Sequence, residues 1–173
     1  MKKGLIALSD LNGMDQKSFT DAVGFAFELS PWIAEQTWNA RPFATIECLH
    51  AGMRDVVDRA SDEQRLTLLR MHPDLAGRAA IAGDLTDESK REQSSAGLSH
   101  LTPDEYDAFI ARNDAYRARF GIPFIICARE HNRTSILAAF DRRLQNDFAD
   151  EVQTAIGEVF KISRLRLEDA VTE

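Results

Sequence analysis

Thr102-Pro103-Asp104-Glu105 opens the stretch that decides the fold, Phe120-Gly121 closes it, and Ile122-Pro123-Phe124-Ile125-Ile126-Cys127-Ala128 follows directly. A threonine at the N-cap, a proline at the first helical position and a glutamate three residues after the cap together mark a helix start. Tyr106, Phe109, Ile110, Asn113, Tyr116 and Phe120 then recur at helical spacing, and Gly121 supplies the stop. The segment after it is continuously apolar, β-branched and interrupted by proline, so it reads as extended. No strand partner for it is evident elsewhere in the chain.

Working outward, the remaining sequence is helical in period. Phe19, Val23 and Phe27 follow Asp15 and Ser18 at four-residue steps and end at Ser30-Pro31. Between Phe43 and Ala60, Ile46, Leu49, Met53, Val56 and Val57 form an apolar stripe. Ser61 opens a further helix that must stop near His72, because Pro73 pushes the preceding residue out of the α region. Gly77 and Gly83 bracket an irregular stretch, and Thr86 or Asp87 caps a helix running to Ala96. Helical spacing returns from Thr134 to Asn146 and again from Asp147 onward. The expected fold is all-α: one domain over residues 1–173, a helical bundle with one short extended apolar segment at about residues 122–128.

Composition narrows the function. The chain has 173 residues, 44% hydrophobic and 28% charged, as ordinary globular domains do. Lys plus Arg number 21 against 28 Asp plus Glu, a net charge of −7, so counterion release offers little affinity for nucleic acid. Cys48 and Cys127 lie in no metal-binding or disulfide spacing and read as reduced core thiols of a cytosolic protein. Met1-Lys2-Lys3 with Leu5-Ile6-Ala7-Leu8 hints at a signal peptide, but its apolar part is shorter than the roughly 7 residues such a region needs. No apolar run approaches the roughly 18 residues of a membrane span.

Phosphate loops, zinc-protease motifs and nucleophile elbows are absent from the sequence. Asp10-Leu11-Asn12-Gly13 reads as a turn, since its glycine falls too early for a calcium loop. His72 stands at a junction between helices, where terminal dipoles can tune its protonation; it is either a capping or surface histidine or a site group. His50 reads as a helix-surface residue. Ser89, Glu92, Gln93 and Ala96 share one helix face, which is either solvated or the polar wall of a pocket. The main chain of the extended insert needs hydrogen-bond partners, from side chains, from water, or from a small heterocycle with alternating N–H and C=O groups. Arg166 borders the apolar face of the last helix, suited either to a bidentate anion or to a helix's last turn.

Several blocks spread in order along the chain resemble the 2-oxo-4-hydroxy-4-carboxy-5-ureidoimidazoline (OHCU) decarboxylase family. They are His72-Pro73-Asp74-Leu75-Ala76-Gly77, Ser89-Lys90-Arg91-Glu92-Gln93, Ala96-Gly97-Leu98, Phe120 to Ile126, Ile136-Leu137 and Arg164-Leu165-Arg166-Leu167. Pro31-Trp32 and Arg41-Pro42-Phe43 are similar to the family's N-terminal signature. The resemblance implies an all-helical fold, commonly a homodimer, and cofactor-free loss of CO2 from a ureidoimidazoline to give (S)-allantoin, with no metal. It implies that His72 is the catalytic acid/base with Glu92 as its acidic partner. Pro73, Ser89, Gln93 and Arg166 would contact substrate, while Phe124, Ile125 and Ile126 would pack on the ring and offer backbone hydrogen bonds. Arg166 is preferred to Arg164 by its register in the terminal Arg-Leu pattern. Expected partners are this small molecule and a second copy, with no nucleic acid and no membrane, in the cytoplasm. The alternative is a non-catalytic helical module that binds a ureide or a protein.

Overall fold

Side-chain caps set most of the helix starts. The computed structural model describes residues 5–77, 80 and 82–173, in two compact units formed by residues up to 68 with 160–173 and by residues 69–159. Met1-Lys2-Lys3, weighed and rejected above as the start of a signal peptide, lies outside the described residues, as do 78, 79 and 81 of the stretch between Gly77 and Gly83.

The first unit contains β1 (Ile6–Ala7), α1 (Leu8–Gly13), α2 (Gln16–Val23), α3 (Trp32–Thr37), α4 (Ile46–Arg59) and most of α5 (Asp62–Arg70). Asp15 accepts from the Ser18 amide at the start of α2, and Thr45 accepts from that of Cys48 at the start of α4. Leu11, Phe19, Val23, Ile33, Leu49, Met53 and Val57 are buried to form its core. Asn12 exchanges two 2.8 Å hydrogen bonds with the main chain of Phe43, which brings the Phe43 ring onto Phe19 with centroids 6.3 Å apart. β2 (Val171–Thr172) lies parallel to β1, pairing Val171 with Ile6.

The second unit contains α6 (Asp87–Ser95), α7 (Pro103–Phe120), α8 (Arg133–Arg143) and the first part of α9 (Phe148–Glu168). The expected capping box is present: Thr102 accepts from the Glu105 amide, and Glu105 accepts from that of Thr102. Gly121 terminates α7 with φ 68°, a left-handed conformation that glycine adopts without penalty. The core is aromatic. Phe124 stacks on Phe140 with centroids 3.7 Å apart, and Tyr116 meets Phe124 edge-on at 5.2 Å.

Three expectations are corrected. Asp10–Gly13 lies inside α1, because Leu8 and Leu11 bury one face of that short helix. Cys48 is exposed on α4, one position before the buried stripe, whereas Cys127 is buried as expected. His50 is buried at 4% exposure and bonds through Nε2 to the Ser163 hydroxyl at 3.0 Å, since it sits three residues before Met53 on the apolar stripe. Among the described residues no helix is long and apolar enough to cross a membrane.

Candidate active site

α5 delivers His72. Leu68 and Leu69 bury the last turn of that helix, the His72 amide donates to the Leu69 carbonyl at 3.2 Å, and Pro73 turns the chain away. The side chain that results is 7% exposed, which excludes the surface-histidine reading.

The loop after His72-Pro73 is held by side chains from two helices. Gln93 Oε1 on α6 accepts from the Ala76 amide at 2.9 Å, and its Nε2 donates to the Asp74 carbonyl at 3.3 Å. Asn113 on α7 donates to the Leu75 carbonyl at 2.8 Å, and Arg117 Nε bonds to both Asp74 carboxylate oxygens, at 2.9 and 3.1 Å. Ala76 has φ 50°, unusual for a residue with a side chain, and the Gln93 bond to its amide helps fix that conformation. Gly77 passes so close to Asp74 that an added Cβ would stand 2.7 Å from the Asp74 Cβ. A tightly specified loop therefore carries the chain away from the histidine.

Thr86 caps α6 through the Ser89 amide, and the helix turns Ser89, Gln93 and Ala96 into the protein with Glu92 partly exposed. Three of the four residues on this face are thus buried, which excludes the solvated reading. Its helix packs against the 3-10 turn Ala128–Glu130 that ends the extended segment.

Among the described residues that segment pairs with no strand. Arg143 Nη1 donates to the Ile125 carbonyl at 2.6 Å, and the Cys127 amide donates to Glu158 Oε2 at 2.8 Å. Side chains thus meet two of its main-chain groups. Arg143 is in turn held by Glu151: Nε donates to Oε1 at 2.8 Å, and Nη2 lies 2.6 Å from the same oxygen without a hydrogen-bond angle. Tyr116 donates its hydroxyl to that oxygen, and Asn146 donates to Oε2 at 2.7 Å. Burial and the adjacent carboxylate push the Tyr116 hydroxyl far above the usual tyrosine range, so it remains a donor.

His72, Pro73, Ser89, Glu92, Gln93, Phe124, Ile125 and Ile126 all belong to the unit of residues 69–159, whereas Arg166 belongs to the other. There Arg166 is buried, forms an ion pair with Glu28 at 2.9 Å and donates to the Phe25 carbonyl at 3.1 Å. Its neighbour Arg164 is exposed and pairs with Glu168 at 2.8 Å. A cavity of about 530 Å³ in this unit is lined by Trp32, Gln36, Asn39, Asp55, Arg59 and Gln64 among others, and by none of the sequence-predicted site residues.

Asn113, Arg117, Arg143, Glu151, Glu158 and Glu28 escaped the sequence reading as site-supporting groups. Asn113 had left a signal, a lone amide within the apolar register of Phe109, Tyr116 and Phe120.

Solved structures share this fold. A crystal structure of an (S)-allantoin synthase aligns with a TM-score of 0.77 and 28% identity over 96% of this chain and 54% of that one. A crystal structure of OHCU decarboxylase in the presence of (S)-allantoin aligns at 0.68 and 22% identity, covering 89% and 96% of the two chains, and speaks for the fold alone. The fold of this chain is therefore the one these two crystal structures share with it. The family model for OHCU decarboxylase matches residues 12–168, and the 2-oxo-4-hydroxy-4-carboxy-5-ureidoimidazoline decarboxylase of Halalkalicoccus jeotgali is 43% identical over 95% of this chain and 91% of its own. The chain belongs to the OHCU decarboxylase family.

Proposed function

We propose that this protein removes CO2 from 2-oxo-4-hydroxy-4-carboxy-5-ureidoimidazoline to form (S)-allantoin without a cofactor, acting as one domain over residues 1–173, as a homodimer in the cytoplasm. Family membership across residues 12–168 carries the reading. Buried His72, followed by a loop held by Gln93, Asn113 and Arg117, gives it a reactive group in a fixed setting.

The chemistry asks little of the protein. The bond to the carboxylate breaks, its electron pair enters the ring as an enolate-like system beside a carbonyl, and a proton delivered to one face restores a tetrahedral carbon. His72 manages the proton at the hydroxyl and carboxylate end, and Glu92 orients the imidazole. Pro73 fixes the approach of His72. Ser89, Gln93 and Arg166 bind polar atoms of the ring and ureido chain, while Phe124, Ile125 and Ile126 pack against the ring and offer main-chain hydrogen bonds.

Freshly prepared substrate followed by circular dichroism tests the reaction: optically active allantoin accumulates faster with protein present. Racemic product at the uncatalysed rate would refute it. A folded His72→Ala variant loses about 10²–10⁴-fold in turnover if the imidazole is the acid/base. Sedimentation should give twice the 19.4 kDa chain mass.

A further inference from the structure

We propose that Arg143 and Glu158 are positioning residues that aim the two main-chain groups of Ile126 at the substrate, with Glu151 and Tyr116 holding Arg143 in place. The inference rests on the decarboxylase reading and extends it to residues outside the ring-binding stretch.

In a planar trans peptide the C=O of one residue and the N–H of the next point in opposite directions. Arg143 Nη1 takes the Ile125 carbonyl at 2.6 Å, so the Ile126 N–H in the same peptide plane points away from Arg143. The next plane is fixed from its other end: Glu158 Oε2 takes the Cys127 N–H at 2.8 Å, so the Ile126 C=O points away from Glu158. Two side chains, separated by 15 positions in sequence, thereby set the direction of one donor and one acceptor on a single residue. Ile126 is buried, and among the described residues neither group meets a protein partner. Buried main-chain groups left in that state are costly, and a ureide or cyclic amide, which carries N–H and C=O side by side, is the ligand chemistry that satisfies both.

The support beneath Arg143 is more elaborate than core filling needs. Arg143 is 4% exposed and Glu151 is 0% exposed, yet a buried ion pair is often no more stabilising than apolar residues of similar volume. What the pair adds is direction. Glu151 Oε1 takes Arg143 Nε and the Tyr116 hydroxyl, Oε2 takes Asn146, and the guanidinium lies 4.4 Å above the Phe124 ring. Glu151 and the Phe124 ring hold the guanidinium, and Tyr116 and Asn146 hold Glu151, so the Nη1 donor stays on the Ile125 carbonyl. Lysine could neutralise Glu151, but it lacks the planar fork that serves Glu151 and the carbonyl together.

Glu158 is partly exposed on α9. Glu158→Leu removes the acceptor, whereas Glu158→Gln keeps one. With freshly prepared substrate, Glu158→Leu should raise KM about tenfold, the equivalent of one hydrogen bond, and lower the optical purity of the allantoin formed, while Glu158→Gln restores both. Arg143→Lys should do the same without rescue. A second measurement needs no variant and no turnover: titrating (S)-allantoin into the wild-type protein should shift the Ile126 amide proton downfield in an NMR spectrum. Wild-type KM and optical purity in folded Glu158→Leu, or an Ile126 amide unmoved while other resonances respond to allantoin, overturns the inference and leaves the decarboxylase activity standing. Failure of the wild-type protein to accelerate the reaction overturns both.

Discussion

Arg166 and Glu28 meet at 2.9 Å with 4% and 2% of their side chains exposed, 138 positions apart in sequence. Breaking such a pair leaves one charge buried and uncompensated, so Glu28→Ala should lower stability by about 3–5 kcal/mol in chemical denaturation. Replacing both partners, Glu28→Leu with Arg166→Met, should recover most of that loss. If the double variant melts like wild type and still turns over substrate normally, Arg166 has no part in binding.

Gln93 serves the loop at both ends of its amide. Gln93→Leu strands the buried Ala76 N–H at a residue with φ 50°, so a loss of about 1–3 kcal/mol is expected by urea denaturation. Arg117→Ala removes a half-exposed ion pair with Asp74 and should cost about 0–1 kcal/mol. Equal losses from the two changes would contradict the view that burial decides which bond matters.

His50 gives the fold an acid limb. Burial is the main cause that pushes its imidazole below the ordinary 6.5, with the Arg54 guanidinium adding to the effect, while the Phe160 carbonyl and Glu47 oppose it. The unfolded chain takes up a proton as pH drops below 6.5, whereas the folded chain resists until its lower value is reached. The stability contributed by neutral His50 is therefore complete above pH 6.5 and is lost through the window beneath it. Melting temperatures taken from pH 7.5 to about 5 should fall more steeply for wild type than for His50→Gln. Parallel curves would show that His50 does not titrate with unfolding.

Thr102 tests a purely local device. Thr102→Ala removes the acceptor for the Glu105 amide and should cost about 1 kcal/mol, with Thr102→Asp largely neutral, by thermal denaturation.

Legibility followed sequence distance. The helix of Pro103–Phe120 could be read from its own residues, because cap, first-turn proline and terminal glycine all act within one turn. Pro73 likewise announced where α5 must end and left His72 at the junction. The inward face of α6 showed as a spacing pattern, although only burial excluded a solvated surface. Pairings with no local trace stayed hidden: Glu28 with Arg166, Tyr116 with Glu151, and the two-residue strands β1 and β2, too short for a period to register. His50 could have been placed correctly, since it shares the stripe of Met53, but a histidine among apolar residues reads as surface unless its partner, Ser163, is known.

The extended stretch at 122–128 also constrains the order of assembly. Its side-chain anchors, Arg143 and Glu158, are both synthesised after it and arrive on helices still to be formed, so those two bonds close only once the helices dock. The main-chain geometry of this stretch is thus among the last features the chain acquires on folding and, by the same logic, among the first it surrenders when α8 or α9 loosens.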